Sequence, residues 1–366
     1  MEVARSAVET PHGPLSTPAF LPDATRGTVR TVDSDDLRAA GVQALMTSAF
    51  HLMTRPGAQR LRRLGGLHHF NGWDGPIVTD SGGFQIFSLI RQDPRRGVIR
   101  PTGAIFRDPE TGKRDTITPD RSVRTQLSVG SDVLIALDDC TGFTETYDDL
   151  ALSVERTIRW FAKARAELDL QLDRRRVEGP RPPLVGVVQG GAEPELRKRC
   201  ADALAELGAD AFGFGGWPID EEGLLQREQF ELVHEALPAG APLFALGVGK
   251  PEHVVAVARL GRPVVFDCSL PTRDARRKRI FVRIPDARPD TTPTFYKRVY
   301  ILDAKHATDQ APLSELCDAP CCRRYSRAYL HHLAKVGDSL ADRLGTIHNL
   351  RFYTQLVEEL ADGSAT

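Results

Sequence analysis

The stretch LVGVVQGGAEPELRKRCADALAELGADAFGFG, residues 184–215, reads as one strand–helix–strand unit. Leu184–Gln189 and Ala211–Gly215 are short apolar runs, and Glu193–Leu207 between them has the length and mixed polarity of a helix. Two strands joined through a helix lie parallel in one sheet. The pattern repeats outward in both directions. Upstream stand Gly41–Ala49, Pro76–Asp80 and Asp132–Asp138, and downstream stand Leu243–Gly247 and Val264–Asp267. Helical stretches separate them: Ala151–Arg176, where Val154, Ile158, Phe161, Ala164 and Leu168 recur at helical spacing, then Glu221–Leu237 and Pro251–Leu260. One more strand near Ala19–Leu21 brings the number to eight. That fits a closed (β/α)8 TIM barrel better than an open doubly wound sheet, and no G-x-G-x-x-G follows the first strand. The expectation is a single catalytic barrel domain over residues 1–366.

The chain has 366 residues, 41% of them apolar, with 48 Lys and Arg against 49 Asp and Glu. A formal net charge of −1 excludes a globally basic nucleic-acid binder, so such a partner must meet a local basic patch. No apolar run approaches the roughly 18 residues that span a bilayer, and Met1–Thr10 lacks the apolar core of a signal peptide, so a cytoplasmic location is expected. Six cysteines in a chain this long do not read as a disulfide framework. Cys317, Cys321 and Cys322 crowd into one short stretch, which points to a metal site.

Polar residues gather where the strands end: Asp80, Asp138, Asp139, Gln189, Gly215, Gly216, Gly247, Gly249 and Asp267. In a barrel these positions converge on one face. Aspartate also serves as a helix N-cap directly after a strand, so any one of them has a structural explanation. Together they fit chemistry at a glycosidic centre, where one carboxylate attacks the anomeric carbon and another shuttles a proton. After Asp267 the pattern changes. Thr272–Arg283 (TRDARRKRIFVR) is strongly basic, and Ile284–Thr294 reads as a surface loop. Two amphipathic stretches, Arg323–Val336 and Asp338–Leu360, close the chain, with Asp362–Thr366 expected to fray.

PIVTDSGGFQIFSL (Pro76–Leu89), SDVLIALDDCT (Ser131–Thr141), VVQGG (Val187–Gly191) and FDCSLPTRDAR (Phe266–Arg276) resemble, in order, the signatures of bacterial tRNA-guanine transglycosylases. TPAFLPDATRGTVR (Thr17–Arg30), FHLMTRPG (Phe50–Gly57), YSRAYLHHL (Tyr325–Leu333) and TIHNLRFY (Thr346–Tyr353) extend the resemblance over nearly the whole chain. It implies a TIM barrel that swaps guanine at the tRNA wobble position for a 7-deazaguanine base by ping-pong exchange, with preQ1 (7-aminomethyl-7-deazaguanine) as the incoming base. On the matching positions, Asp267 is the nucleophile and Asp80 the acid/base that takes the proton from the incoming N9. Asp138, Gln189 and the backbone of Gly216 read the guanine edge, Phe84 stacks on the base, and Leu246 packs against its other face. Arg273 and Arg276 contact the anticodon loop, and Arg277, Lys278 and Arg279 extend the basic run. The resemblance also implies a homodimer and a structural zinc (Zn2+) in a subdomain at about 296–350.

The zinc signature of the family is C-x-C-x2-C with a distant His, and here those positions read Cys317, Ala319, Cys322 and His348. Cys321 is the replacement expected for the missing sulfur, completing a three-sulfur, one-imidazole set. Ser48 stands where an asparagine is usual, Trp217 where a leucine is, and Ile284–Thr294 is longer than the usual turn. These departures keep open a paralogue that uses queuine or another base, or acts on DNA. A non-catalytic tRNA-binding subunit is disfavoured by the presence of both Asp80 and Asp267. A barrel glycoside hydrolase is disfavoured by the 7% aromatic content and the basic segment.

Overall fold

In the computed structural model, which describes residues 3–109, 111–142, 145–176, 179–289 and 294–363, residues 184–215 form the expected unit. Strand Leu184–Val188 leads through helix Pro194–Glu206 to strand Ala211–Phe214, and the two strands pair in parallel. Eight parallel strands follow one another around the sheet: Ala19–Pro22, Leu45–Ser48, Ile77–Asp80, Val133–Ile135, Leu184–Val188, Ala211–Phe214, Leu243–Ala245 and Val264–Cys268. The last pairs with the first. The ring closes between the first and second through a bridge from Asp23 to Met46, with the Ala24 N–H donating to the Met46 carbonyl at 2.7 Å.

Strand alternation sorts the side chains into two cores. Leu21, Met46, Val78, Val185, Val187 and Val265 fill the barrel interior. Their neighbours Phe20, Leu184, Val188, Val264 and Phe266 face outward and pack against the surrounding helices. Each fully buried side chain of this kind contributes about 1.5–3 kcal/mol of transfer free energy. The same alternation sets the chemistry. Two residues beyond the inward Leu21, Met46, Val78, Val187 and Val265 come Asp23, Ser48, Asp80, Gln189 and Asp267. They stand as a polar layer on top of the apolar filling.

The opposite end is plugged by the hairpin Ser6–Val8 and Leu15–Thr17, whose Val8 and Leu15 join the interior core. His12, from its turn, and His68 both meet the buried Asp132 carboxylate, at 2.5 and 3.0 Å. The final helix, Ser339–Asp362, is pinned to the barrel. Its Asn349 amide donates to the Pro271 and Arg279 carbonyls and accepts from the Phe281 N–H, while the Tyr353 hydroxyl donates to the Gly249 carbonyl at 2.6 Å.

Several elements differ from the sequence expectations. Helix Glu221–Leu237 begins only at Arg227, because the preceding residues turn back through an Ile219–Leu225 bridge. Arg323–Val336 is two helices, Pro320–Arg324 and Arg327–Val336, divided where the Ser326 hydroxyl caps the second by accepting from the Tyr329 N–H. The basic segment is not one surface run: Leu270–Arg276 is helical, and Arg279–Arg283 pairs antiparallel with Tyr296–Tyr300. The Ile284–Thr294 stretch connects that hairpin, and its residues 290–293 lie outside the described residues. The expected fraying of Asp362–Thr366 falls largely on residues 364–366, also outside them. A three-stranded antiparallel sheet, Gly97–Arg100, Gly103–Arg107 and Arg114–Ile117, was not expected at all. No described helix is long and apolar enough to cross a membrane.

Candidate active site and metal centre

Two adjoining cavities open at the C-terminal ends of the barrel strands. The first, about 430 Å³, is lined among others by Asp80, Phe84, Asp138, Gly216, Leu246 and Asp267. The second, about 540 Å³, is lined by Asp23, Ser48, Lys250, Arg273 and Arg298. Met46, Asp80, Gln85, Ile219, Gly247 and Asp267 belong to both. The two aspartates therefore stand at the seam between a mostly apolar chamber and a polar one to which Lys250, Arg273 and Arg298 bring positive charge.

The three carboxyls of the first cavity are held differently. Asp80 accepts from the N–H groups of Ala49 and Gly82 at 3.1 and 2.9 Å and from Gln85 Nε2 at 3.0 Å. Asp267 accepts only the Gly247 N–H, at 2.9 Å on Oδ1, leaving its other oxygen without a partner among the described residues. Asp138 accepts Gln189 Nε2 at 2.6 Å. Burial dominates all three, and the hydrogen bonds they accept offset it only in part, so Asp80 is pushed up to about 6 and Asp138 and Asp267 to about 7. Each thus changes protonation state near neutrality, the range in which an acid/base group works best.

Phe84 is 44% exposed and meets Trp217 edge-to-face at 5.2 Å, while the Trp217 indole N–H donates to the Thr141 carbonyl at 3.1 Å. The two rings form an aromatic corner at the rim. Leu246 packs onto the barrel interior below. Gln189 is fully buried beside Asp138, and its Oε1 has no partner among the described residues. Gly216 has φ +92°, and a Cβ on Gly215 would lie 2.5 Å from the Val188 carbonyl, so this turn needs both glycines. Asp139 does not join the cavity. It points away and pairs with Arg156 at 2.9 Å.

Sequence reasoning missed Lys250 and Arg298 in the second cavity, and Arg197. The Arg197 guanidinium is fully buried and donates to the carbonyls of Val188, Gly191 and Gly215 and to Gln229 Oε1. Stacked over Phe214 at 4.9 Å, it ties together the two loops that carry Gln189 and Gly216. The signal was present, since Arg197 sits within the buried stripe of Leu196, Cys200, Ala201 and Leu204 on its helix. Because the Gly215 and Gly191 carbonyls lose the donor shown for them and the Val188 carbonyl is left with the Gly215 N–H alone, Arg197→Met is expected to cost about 2 kcal/mol or more of unfolding free energy in urea titration. A loss below 1 kcal/mol would contradict this role.

In the basic segment, Arg273 is exposed and lines the second cavity, and Arg276 Nε donates to the Thr272 carbonyl at 3.1 Å. Lys278 is occupied by Asp342, so it is not a free phosphate contact.

Cys317, Cys322 and His348 bring their ligand atoms within 4.8 Å of one another in a buried position. Cys321 Sγ lies 4.0 Å from Cys322 Sγ, close to the roughly 3.8 Å edge expected for two thiolates bound about 2.3 Å from one tetrahedral ion. His348 Nε2 donates to the Phe281 carbonyl at 2.6 Å, which turns Nδ1 toward Cys322 Sγ at 2.9 Å. Two converging buried sulfurs without a disulfide and one oriented imidazole are a donor set that fits a metal ion, and Cys321 lies next to that group without joining it.

The sequence profile described as queuine tRNA-ribosyltransferase matches residues 3–362. Among similar proteins, the queuine tRNA-ribosyltransferase of Shewanella denitrificans is 39% identical over 348 residues, covering 95% of this chain and 86% of its own. That of Syntrophobacter fumaroxidans is 37% identical over 358 residues, covering 98% and 89%. The one from Novosphingobium aromaticivorans is 38% identical over 351 residues, covering 96% and 88%.

Proposed function

Since the chain belongs to the queuine tRNA-ribosyltransferase family, we propose that it exchanges guanine in tRNA for a 7-deazaguanine base through an ester between Asp267 and the ribose. The observation that carries this is the placement of Asp80 and Asp267 where the two cavities meet. A nucleoside has the same division: a flat base on one side of the C1′–N9 bond and a sugar flanked by phosphates on the other.

In the first chamber the base lies against Phe84 and Leu246. Asp138 accepts from guanine N1–H and the exocyclic amine, which are adjacent donors, and Gln189 and the Gly216 backbone complete the edge. In the second chamber Arg273 faces the flanking phosphates, with Lys250 and Arg298 beside it and Arg276 on the same helix. The unpartnered oxygen of Asp267 attacks C1′. The C1′–N9 bond breaks, its electron pair stays on N9, and protonated Asp80 gives guanine its proton. The incoming base then returns a proton from N9–H to Asp80 and attacks C1′ through N9, releasing the Asp267 carboxylate. The rim formed by Trp217 and Phe84 favours a small 7-substituent, so preQ1 is the base assigned.

Zinc is the ion assigned to Cys317, Cys321, Cys322 and His348. It serves a lobe of residues about 296–350 with its own small core around Ile301, Leu313, Leu330 and Leu344. Exposed Leu316, Tyr329 and Val336 on that lobe support a homodimer. One zinc per chain is expected by elemental analysis, and a chelator strong enough to remove it is expected to lower the melting temperature by about 10 °C or more. Unchanged melting after complete metal loss would remove the structural role.

The function is tested by charging tRNA with labelled guanine and chasing with preQ1, queuine or guanine, with single-stranded and duplex DNA in parallel. Release of label from tRNA, fastest with preQ1, is the expected result. Release by queuine alone, or from DNA alone, replaces the base or the polynucleotide in this assignment. No release from any substrate refutes it.

A further inference from the structure

The three-stranded sheet of residues 97–117 has an exposed face that is poorly paired within the protein. Arg107 and Arg114 are direct cross-strand partners. Like charges opposed in this way repel and destabilise a sheet. Arg100 lies on the same exposed face by alternation through Val98, which pairs with Ile105 at the centre. None of Arg100, Arg107 and Arg114 has a carboxylate partner among the described residues. The neighbouring acids are occupied, Asp93 by Arg95 and Arg96 and Asp115 by Arg121. Between the strands lies a groove of about 250 Å³ lined by Arg95, Arg96, Val98, Ile105, Arg107 and Arg114.

The sheet stands at the same end of the barrel as the cavities. Its inward side, through Ala104, Phe106 and Ile117, packs with Phe50, Leu137 and Cys140, which follow the C-terminal ends of the second and fourth barrel strands. Cys140 itself lines the first cavity. The ten-residue helix Gly83–Gln92 runs from Phe84 at that cavity toward the sheet, a rise of about 15 Å. That is four to five nucleotide steps at about 3.4 Å each.

We propose that the arginine face of residues 96–114 is a second tRNA-binding surface, holding the phosphate backbone of the stem several nucleotides from the base being exchanged. This rests on the function proposed above and extends its substrate contacts beyond the second chamber. A polyanion laid along the face relieves the Arg107–Arg114 repulsion, and guanidinium groups suit phosphate oxygens. The occupant is the sugar–phosphate chain, so the surface adds affinity without reading sequence.

The test combines Arg100→Gln, Arg107→Gln and Arg114→Gln in one variant, with Arg→Lys at the same three positions as the charge-keeping control. Binding is measured by fluorescence anisotropy over a salt series. The probes are full-length tRNA and a hairpin cut to the anticodon loop and its closing base pairs. The glutamine variant is expected to raise the KM for full-length tRNA at least tenfold with kcat unchanged. It is also expected to flatten the slope of log affinity against log salt by about 2 to 3. The lysine variant retains most binding, and the truncated hairpin, which keeps the first stem phosphates, ranks the three proteins in the same order. If wild-type protein exchanges bases in tRNA and the glutamine variant matches it in KM and salt slope, the surface serves something else, such as an acidic protein, and this inference is overturned while the function stands. If wild-type protein neither binds nor modifies tRNA, the function falls and this inference with it.

Discussion

Asp267→Asn is expected to reduce base exchange by about 10⁴-fold or more and to abolish the covalent species that wild-type protein forms with tRNA under denaturing conditions. An amide cannot form the ester, and no other carboxylate reaches the seam from the same strand. Asp80→Asn provides the contrast. It removes a proton donor but leaves the nucleophile, so the adduct still forms while turnover falls by about 10² to 10⁴. The asymmetry follows from the surroundings. Asp80 is anchored by three donors, from Ala49, Gly82 and Gln85, which fix a proton-transfer group in place. Asp267 keeps one oxygen unengaged, as an attacking group requires. An adduct that persists in Asp267→Asn and vanishes in Asp80→Asn would exchange the two roles.

The barrel was legible because its strands are short apolar runs whose ends are marked by glycine and aspartate, and the eight runs recur with helices between them. The polar layer of the candidate site was legible from where those runs end, and strand alternation accounts for it, since Val78 to Asp80 and Val265 to Asp267 differ by one repeat of the pleat. What escaped detection has physical causes. The strands of the 97–117 sheet are only four or five residues long and interrupted by glycine and arginine, too little for a period to register. Lys250 and Arg298 reach the second cavity from separate segments that only the tertiary fold brings together. Ala319 looked like a lost ligand in the sequence. The structure shows it preceding a short helix that buries both Cys321 and Cys322, with Cys322 in the group of Cys317 and His348 and Cys321 Sγ 4.0 Å from Cys322 Sγ but outside that group.

Asp138→Asn is expected to separate function from stability in opposite directions. A site built to accept from two guanine donors loses about 10³-fold or more in kcat/KM when one acceptor becomes an amide that presents a donor of its own. In the wild type the carboxyl must be ionised to accept, so kcat/KM is expected to fall as pH drops through about 7, with the ionisation of Asp267 adding to the same limb. Stability responds with the reverse sign. Burial raises the Asp138 carboxyl from 3.8 to about 7, so the folded protein holds a proton there that the unfolded chain has released. Its contribution is intact below about pH 4 and is lost as pH rises through 7, a cost on the order of 4 kcal/mol by pH 8. A neutral amide carries no such cost, and Gln189 Oε1, now without a partner, is available to accept from it. The variant is therefore expected to melt higher than wild type at pH 8 and at nearly the same temperature at pH 4, read by calorimetry at both values. A variant that melts lower at pH 8 would mean that Asp138 is held ionised by the empty pocket, and that the chamber does not spend stability to hold a carboxylate ready for guanine.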